Sequence, residues 1–499
     1  MNWNIFKEIR EKINYESLQK NKNILFLILA ILLIEYMAFD YILAFFQYPE
    51  NDKYIKRIMT VGELKKLIVI STISVNFLAA LIFLGFKIMK SKIENKTKSI
   101  FYIIMTFFVL FIIIIGYMTH GEAIRILLHS DKNDVFMDFF NSTQYGMKPY
   151  SRDVIYPPLI NLFYAFLGRF IVKDVPTFIY RTSQMGAMIF LIYNLFAYGL
   201  LTYALNRFID RYMPCQAKEK VFFLSIMLLS TPFLFMMERG NSIILALSFI
   251  ILFLLEYKEN QSILKEGIFL GIAASIKISP ILFGLLYIKD RRYRDGFICF
   301  VITMFVFNIP FLLTDGNIFI LLENIHKATS YFQGSLVGAD GTIRAIGCGA
   351  YVNIDKFMEM ISRIYSKDLH VVTATIKLAI FLAGTYIILV KKIESWKIIT
   401  LIISVMVLIP GFSAVYNLIY YIIPLIMFMG ENSKNKVKYI YIGLFLGIFI
   451  PIINVNIPFL YQFFSNDIYK FRLSTALESL SSILLTISII VESLFIKEK

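Results

Sequence analysis

Cysteine, histidine and tryptophan are scarce in this chain, with three, four and two residues among 499. The cysteines stand far apart, at Cys215, Cys299 and Cys348, and so indicate neither a disulfide framework nor a cysteine metal site. The histidines are scattered as well, and we interpret none of them as a ligand: His120, His129, His326 and His370. The sequence therefore predicts no metal-binding residues and no resident cofactor, with a divalent cation left as an open alternative.

Charged residues are also few, at 17% of the chain, whereas 58% are hydrophobic and the mean hydropathy is +0.69. This balance excludes a soluble globule. Apolar runs of roughly 20 residues, enough to cross a bilayer, recur from end to end. We therefore predict an all-α polytopic membrane protein with about 12–14 transmembrane helices. The clearest runs are 24–46, 67–86, 100–118, 186–205, 222–237, 243–257, 297–313, 371–390 and 475–496, and shorter ones are 398–410, 416–429 and 439–451.

The formal net charge of +15 would suggest a nucleic-acid partner for a soluble protein. Here the basic residues cluster in short loops between spans, where they set orientation, and we expect no nucleic acid to bind. The pattern predicts cytoplasmic termini, with Asn260 and Lys436 inside and Asn141 and Gly338 outside. The richness in Lys, Ile and Asn indicates a plasma membrane. The basic loop at 53–66 disagrees with this orientation. The long segments 119–183 and 314–370 would then face the extracytoplasmic side.

The sequence shows neither repeats nor a low-complexity linker, so we predict one membrane domain over residues 1–499 and a monomer. The first apolar run is long and contains Glu35 and Asp40, which favours a retained anchor over a signal peptide. Within the first outer segment, helical periodicity over 159–172 after Pro157-Pro158 predicts a short interfacial helix.

Carboxylates in the first outer segment are the first candidates for chemistry. Asp134 and Asp138 stand in an outward-facing loop, followed by Tyr145, Tyr150 and Tyr156. An aspartate at position 134 also fits a helix N-cap, and one at 138 fits a helix surface. Tyrosines are common at bilayer interfaces, so these three could instead anchor the loop.

A second informative stretch joins Arg239-Gly240-Asn241 to Lys277 and Pro280. Basic residues flank this apolar stretch on both sides, so a single crossing would put one basic cluster outside. We therefore predict two half-length helices hinged near 277–280, because proline interrupts the helical hydrogen bonds. The ammonium of Lys277 would face a polar cavity or an anion, or else extend to the interface.

These motifs occur in a fixed order: Asp138-Phe139, Tyr145-Gly146, Pro149-Tyr150, Tyr156-Pro157-Pro158-Leu159, Arg239-Gly240-Asn241 and 271–280. The order resembles that of polyprenol-phosphate-mannose-dependent mannosyltransferases of the GT-C superfamily, and is similar to the catalytic subunit of GPI mannosyltransferase I. The resemblance covers roughly residues 100–310 and implies a GT-C-like helical bundle with short interfacial helices. It departs at the aspartates, which are four apart rather than two, and in lacking a histidine near Tyr416.

The resemblance implies an inverting hexosyltransferase that moves a sugar, typically mannose, from a polyprenyl-phosphate donor to a lipid, glycan or polymer acceptor. The resemblance implies that Asp138 is the general base, with Asp134 as the second catalytic carboxylate. The donor phosphate would be held by cations. Those candidates are Lys277, Arg239, Arg152 and Arg344, and the candidates for sugar or acceptor binding are Tyr150, Tyr156, Asn241 and Tyr416.

Two other readings stay open at this point. A transporter or lipid flippase would explain the many spans and the intramembrane lysine, but not the two long outer segments. A polysaccharide polymerase or ligase would consume the same kind of donor. Such enzymes carry their large arginine-bearing loop late in the chain, whereas the acidic loop here comes early.

Overall fold

The computed structural model describes residues 96–118, 135–170, 176–259, 262–334, 351–365, 367–431, 437–451 and 473–495. Two compact units are distinguished: residues 1–104 with 217–222, and residues 105–216 with 223–499. In the described part of the first unit, Lys98 pairs with Glu219, which also accepts a hydrogen bond from Tyr102 at 3.0 Å. The candidate site lies in the second unit. The single membrane domain over 1–499 stays a prediction.

The described residues fold almost entirely as helices. In chain order the α-helices are α1 (Lys96–Met118), α2 (Met137–Gln144), α3 (Pro158–Gly168), α4 (Thr177–Tyr180), α5 (Gln184–Tyr212), α6 (Ala217–Leu228), α7 (Thr231–Arg239), α8 (Ile243–Glu259), α9 (Ile263–Ala274), α10 (Leu285–Lys289), α11 (Tyr293–Asn308), α12 (Ile318–Gly334), α13 (Ile354–Tyr365), α14 (His370–Val390), α15 (Ser395–Leu408), α16 (Ile422–Gly430), α17 (Lys438–Phe449) and α18 (Leu473–Phe495). Short 3-10 helices cover Tyr150–Arg152, Ser279–Gly284, Ile309–Leu313 and Val415–Tyr421.

The lengths of the apolar helices confirm the predicted class of fold. In the described part of the chain, five helices are long and apolar enough to cross a bilayer: Lys96–Ile113, Gln184–Tyr212, Tyr293–Leu313, His370–Val390 and Ser474–Phe495. The protein is thus an all-α polytopic membrane protein. The predicted runs 24–46 and 67–86 lie outside the described residues.

The predicted apolar run over 222–237 is divided between two helices. α6 and α7 meet at an angle of 62°, so this pair is a broken span or a re-entrant segment. The break follows from Pro232, which stands in the first turn of α7 and cannot donate a backbone hydrogen bond to continue α6. Because of that break, the C-terminal end of α7 can turn toward α2.

Short central helices form the buried core of the second unit. Residues 243–256 of α8 are all buried except Phe249, and α15 and α16 are buried along almost their whole lengths. By contrast, α5 and α11 expose large apolar side chains such as Leu195 and Phe297, as helices in contact with lipid do. A helix that is apolar on every side is expected at the centre of such a bundle.

The predicted hinge near Lys277 is present. α9 ends at Ala274, residues 275–278 are not helical, and a 3-10 helix over Ser279–Gly284 leads into α10. Close packing fixes α9 against α11, since a Cβ atom on Gly267 or Gly271 would lie 2.7 Å from Ile302 or Val306. The break is therefore held beside the N-terminus of α3, where the Ile160 backbone N–H donates to the Ser275 carbonyl.

Candidate active site

Most of the site residues predicted from the sequence converge at one place in the second unit. α2, the C-terminal end of α7, the loop before α3, the break after α9 and the 3-10 helix Val415–Tyr421 each contribute to it. The converging side chains are Asp138, Arg239, Asn241, Tyr156, Lys277 and Tyr416.

The Asp138 carboxylate is the centre of this cluster. Its Oδ1 accepts hydrogen bonds from Arg239 Nη2 at 2.6 Å and Arg239 Nε at 3.2 Å. Its Oδ2 accepts one from Asn241 Nδ2 at 2.7 Å. The Asp138 side chain is 14% exposed, so it can still be reached from outside. Since each carboxylate oxygen has two lone pairs, Oδ2 keeps one acceptor position for another group.

Local structure at the start of α2 explains where Asp138 points. Phe136 adopts a left-handed conformation with φ of 61°, and its N–H donates to the Glu238 carbonyl at 2.6 Å. Phe139 is fully buried among aromatic rings that include Tyr164 and Tyr193. Asp138 thus lies in the first turn of a short helix, which favours a negative charge, rather than in the loop predicted from the sequence.

The Arg239-Gly240-Asn241 turn brings the other half of the cluster. Gly240 ends α7 with φ of +64°, the left-handed conformation that glycine adopts at helix ends. Asn241 is fully buried, and its Oδ1 accepts the Ile243 N–H at 3.0 Å. That bond fixes the amide so that Nδ2 faces Asp138 and, at 3.3 Å, the Tyr156 hydroxyl.

Gly240→Ala should therefore destabilise the protein. A Cβ atom at this position would lie 2.9 Å from Phe139 Cβ and 3.0 Å from Phe190 Cε2, in addition to the left-handed strain. We expect a loss of about 2–4 kcal/mol from strain and overpacking together, seen as a lower midpoint of thermal unfolding in detergent.

Gly146→Ala is the matched control for this change. Gly146 has φ of +60°, and no atom lies within 4 Å of its added Cβ, so only the conformational strain of about 1 kcal/mol applies. Equal losses in the two variants would contradict the packing argument.

Lys277 lies between two aromatic rings. Its Nζ is 4.6 Å from the ring centre of Tyr156 and 5.6 Å from that of Tyr416, which stacks on Phe235. Such rings attract a cation without neutralising it. Within the described ranges, no carboxylate lies within 4.0 Å of the Lys277 ammonium, so an anion would complete its surroundings.

Tyr156 connects the lysine to the carboxylate. Its hydroxyl accepts the Asn241 hydrogen bond, and its ring faces Lys277. Burial raises the pKa of the Tyr156 phenol well above its ordinary value of 10, and the charge of Asp138 raises it further. The phenol therefore stays protonated and can donate its own proton to a ligand.

The remaining predicted residues fall elsewhere. Tyr150 lies behind the cluster and donates its hydroxyl hydrogen bond to the Tyr156 carbonyl at 3.1 Å. Arg152 is exposed, and its side chain pairs with no carboxylate in the described segments. Asp134 and Arg344 lie outside the described residues. In the described segments, no group of three or more His, Cys, Asp or Glu side chains is arranged to hold a metal ion.

Comparison with known proteins gives one family. The model of a family described as Glycosyltransferase family 87 matches residues 155–410, slightly more than half of the chain. The matched region contains Tyr156, Arg239, Asn241 and Lys277, whereas Asp138 precedes it and Tyr416 follows it. No curated protein matches the chain.

Proposed function

The chain belongs to glycosyltransferase family 87, and from that premise we propose that it transfers a hexose, typically mannose, from a polyprenyl-phosphate donor to an extracytoplasmic lipid, glycan or polymer acceptor. Membership makes the protein a membrane glycosyltransferase and favours this reading over a transporter or flippase. One observation carries the finer proposal. Asp138 is a carboxylate with a free acceptor position, and Lys277 is a cation that pairs with no carboxylate among the described residues. Asn241 and Tyr156 join the two.

The chemistry follows from these two groups. An acceptor hydroxyl beside Asp138 Oδ2 loses its proton to that oxygen while the hydroxyl oxygen attacks the anomeric carbon. The bond from the anomeric carbon to the phosphate oxygen breaks, and its electron pair leaves with the phosphate. Lys277 stabilises the charge that grows on that oxygen. Attack opposite to the leaving group inverts the anomeric centre.

The sequence motif predicts that Arg239 binds the donor phosphate, but we propose a different role for it. Two of its nitrogens already bind Asp138 Oδ1, so its guanidinium orients the base. We propose that Lys277 is the main cation for the donor phosphate, with Tyr156 as a neutral hydrogen-bond donor beside it. Asn241 holds Asp138 and Tyr156 at a fixed separation.

An apolar groove lined by the segment that follows Lys277 in the chain supports a lipid-linked donor. It has a volume of about 390 Å³ and runs between the 3-10 helix Ser279–Gly284, α10 and α11. One lining residue, Ile281, stands four residues after Lys277 in the chain. Other lining residues are Leu282, Leu285, Ile288, Phe297 and Phe300. An isoprenoid chain attached to a phosphate at Lys277 would lie here.

Gly284→Leu should fill this groove without strain, because no atom lies within 4 Å of a Cβ atom there. We expect a roughly tenfold higher KM for a long-chain polyprenyl-phosphate sugar, since a displaced apolar group loses its contacts. A water-soluble donor analogue, with a chain too short to reach the groove, should be used as well as before. Gly199→Leu on α5, also open at its Cβ, is the matched control and should change neither KM.

The test of the proposed function is transfer in proteoliposomes. The purified protein is supplied with a labelled polyprenyl-phosphate hexose and a membrane extract as the source of acceptor. Formation of a labelled product of inverted configuration, released polyprenyl phosphate and no use of nucleotide sugars is the expected result. Movement of the donor across the bilayer without product would favour the flippase reading. Extended polymeric product would favour the polymerase reading.

A further inference from the structure

Two side chains of the second outer segment hold the backbone of the first. The Asp315 carboxylate accepts the N–H of Tyr150 at 3.0 Å and that of Ser151 at 2.9 Å, one on each oxygen. Asn324 Nδ2, in a side chain that is 2% exposed, donates to the carbonyls of Tyr150 at 3.1 Å and Val154 at 3.3 Å. These bonds join positions more than 160 residues apart in sequence.

The Tyr150 ring is fixed as firmly as its backbone. It packs on Phe311, with 5.5 Å between ring centres, and on Gly316, where an added Cβ would lie 2.3 Å from Tyr150 Cδ2. Its hydroxyl then donates to the Tyr156 carbonyl, which also accepts a hydrogen bond from Asn161 at 2.8 Å. Tyr150 thus transmits the position of the second segment to Tyr156.

Tyr156 is the residue through which this arrangement reaches the candidate site. Its hydroxyl is 3.3 Å from Asn241 and its ring centre 4.6 Å from Lys277. A small displacement of Tyr156 would therefore change the distance between the base, Asp138, and the cation, Lys277. Displacements of about 1 Å can cost a hundredfold in rate where reacting groups must be aligned.

We propose that Asp315 and Asn324 are positioning residues for transfer, acting through Tyr150 on Tyr156 and thereby on the distance between Asp138 and Lys277. This role rests on the proposed function. It gives the second outer segment a part in catalysis without contact with the substrate.

The charge state of Asp315 suits this role. Burial alone would raise the pKa of its carboxyl group, but hydrogen bonds from Ser151 and Tyr150 outweigh that effect and lower the pKa below its ordinary value. The carboxylate is therefore ionised across the neutral range, and both of its oxygens can accept a backbone N–H.

The experiment compares Asp315→Asn with Asp153→Asn. Asparagine at 315 presents an NH₂ group to one of the two N–H donors, so one bond becomes a repulsion. We expect kcat to fall about tenfold by misalignment. Asp153 is exposed, and its carboxylate forms a distant pair with Lys327 at 3.6 Å, so the same change there should leave kcat unaltered. Asparagine also tolerates the left-handed backbone of position 153.

Tyr150→Phe removes only the hydroxyl that reaches Tyr156 and completes a double-mutant cycle. If both residues act through one route, the double variant should be no slower than the worse single variant. Multiplicative losses in the double variant would overturn the proposed route. Equal activity of Asp315→Asn and Asp153→Asn would overturn the positioning role itself.

A readout without turnover separates this inference from the proposed function. With 3-fluorotyrosine at position 156, the fluorine resonance should shift in Asp315→Asn and stay in place in Asp153→Asn. An unshifted resonance in both variants contradicts the inference even if transfer is observed. Conversely, the wild-type protein could show no transfer while the resonance still shifts in Asp315→Asn. That result would refute the proposed function and support the structural route.

Discussion

Asp138→Asn should lower the rate of transfer by about a hundredfold to ten-thousandfold, the range over which a positioned general base accelerates a reaction. The substituted amide cannot take up the acceptor proton. Its NH₂ group would also face either Arg239 or Asn241, both of which donate to the native carboxylate. The measurement is kcat for transfer from a polyprenyl-phosphate hexose in proteoliposomes, with Asp153→Asn as the surface control for the same chemical change.

Loss of the ion pair could in principle act through folding alone, and Arg239→Gln separates the two effects. This variant removes the same ion pair but keeps the carboxylate that accepts the proton. Removing one member of a partly buried ion pair destabilises in either case, so both variants should melt at a lower temperature. We expect Arg239→Gln to retain at least ten times the activity of Asp138→Asn. Parallel losses of activity and of melting temperature in the two variants would remove Asp138 from catalysis.

The order of elements was accessible from the sequence because the signals are local. Apolar length predicted the helix at Val371–Val390 within one residue of its observed start. Proline and glycine chemistry predicted the hinge before Pro280 and the start of α3 at Pro158. Motif order along the chain also identified Asp138, Asn241 and Lys277, which the structure brings together.

Tertiary contacts set the features that sequence reasoning missed. Asp315 and Asn324 carry no signal of their own, because an aspartate before a glycine and an asparagine in an amphipathic helix are ordinary residues of a segment between apolar runs. Their role appears only when positions 150 and 315 meet. Likewise, Asp138 is helical because Phe139 is buried and Phe136 bonds to residue 238, neither of which a local pattern predicts.

The arginine candidates show the same limit of sequence reasoning. The family resemblance implied that Arg152 and Arg239 are both cations for the donor phosphate. Folding exposes Arg152 and places Arg239 on the Asp138 carboxylate. Which cation remains available to a ligand therefore depends on pairing, and Arg239 is paired because the C-terminal end of α7 lies beside Asp138 of α2.

Lys277→Met should lower kcat/KM for the polyprenyl-phosphate donor by about a hundredfold to a thousandfold, as removal of a fixed charge-stabilising group does elsewhere. Methionine keeps the length and the contact with the Tyr156 and Tyr416 rings but lacks the charge. Because the phosphate gains negative charge as the sugar departs, kcat should fall as well as donor affinity, and Lys277→Arg should recover part of both. Lys265→Met on α9, the helix that precedes the break, is the control, since Lys265 is 55% exposed and its contact with Glu256 is as long as 3.8 Å. If Lys277→Met and Lys265→Met kept equal kcat/KM, the ammonium would be an interfacial lysine extended toward water, and the leaving phosphate would need a different cation.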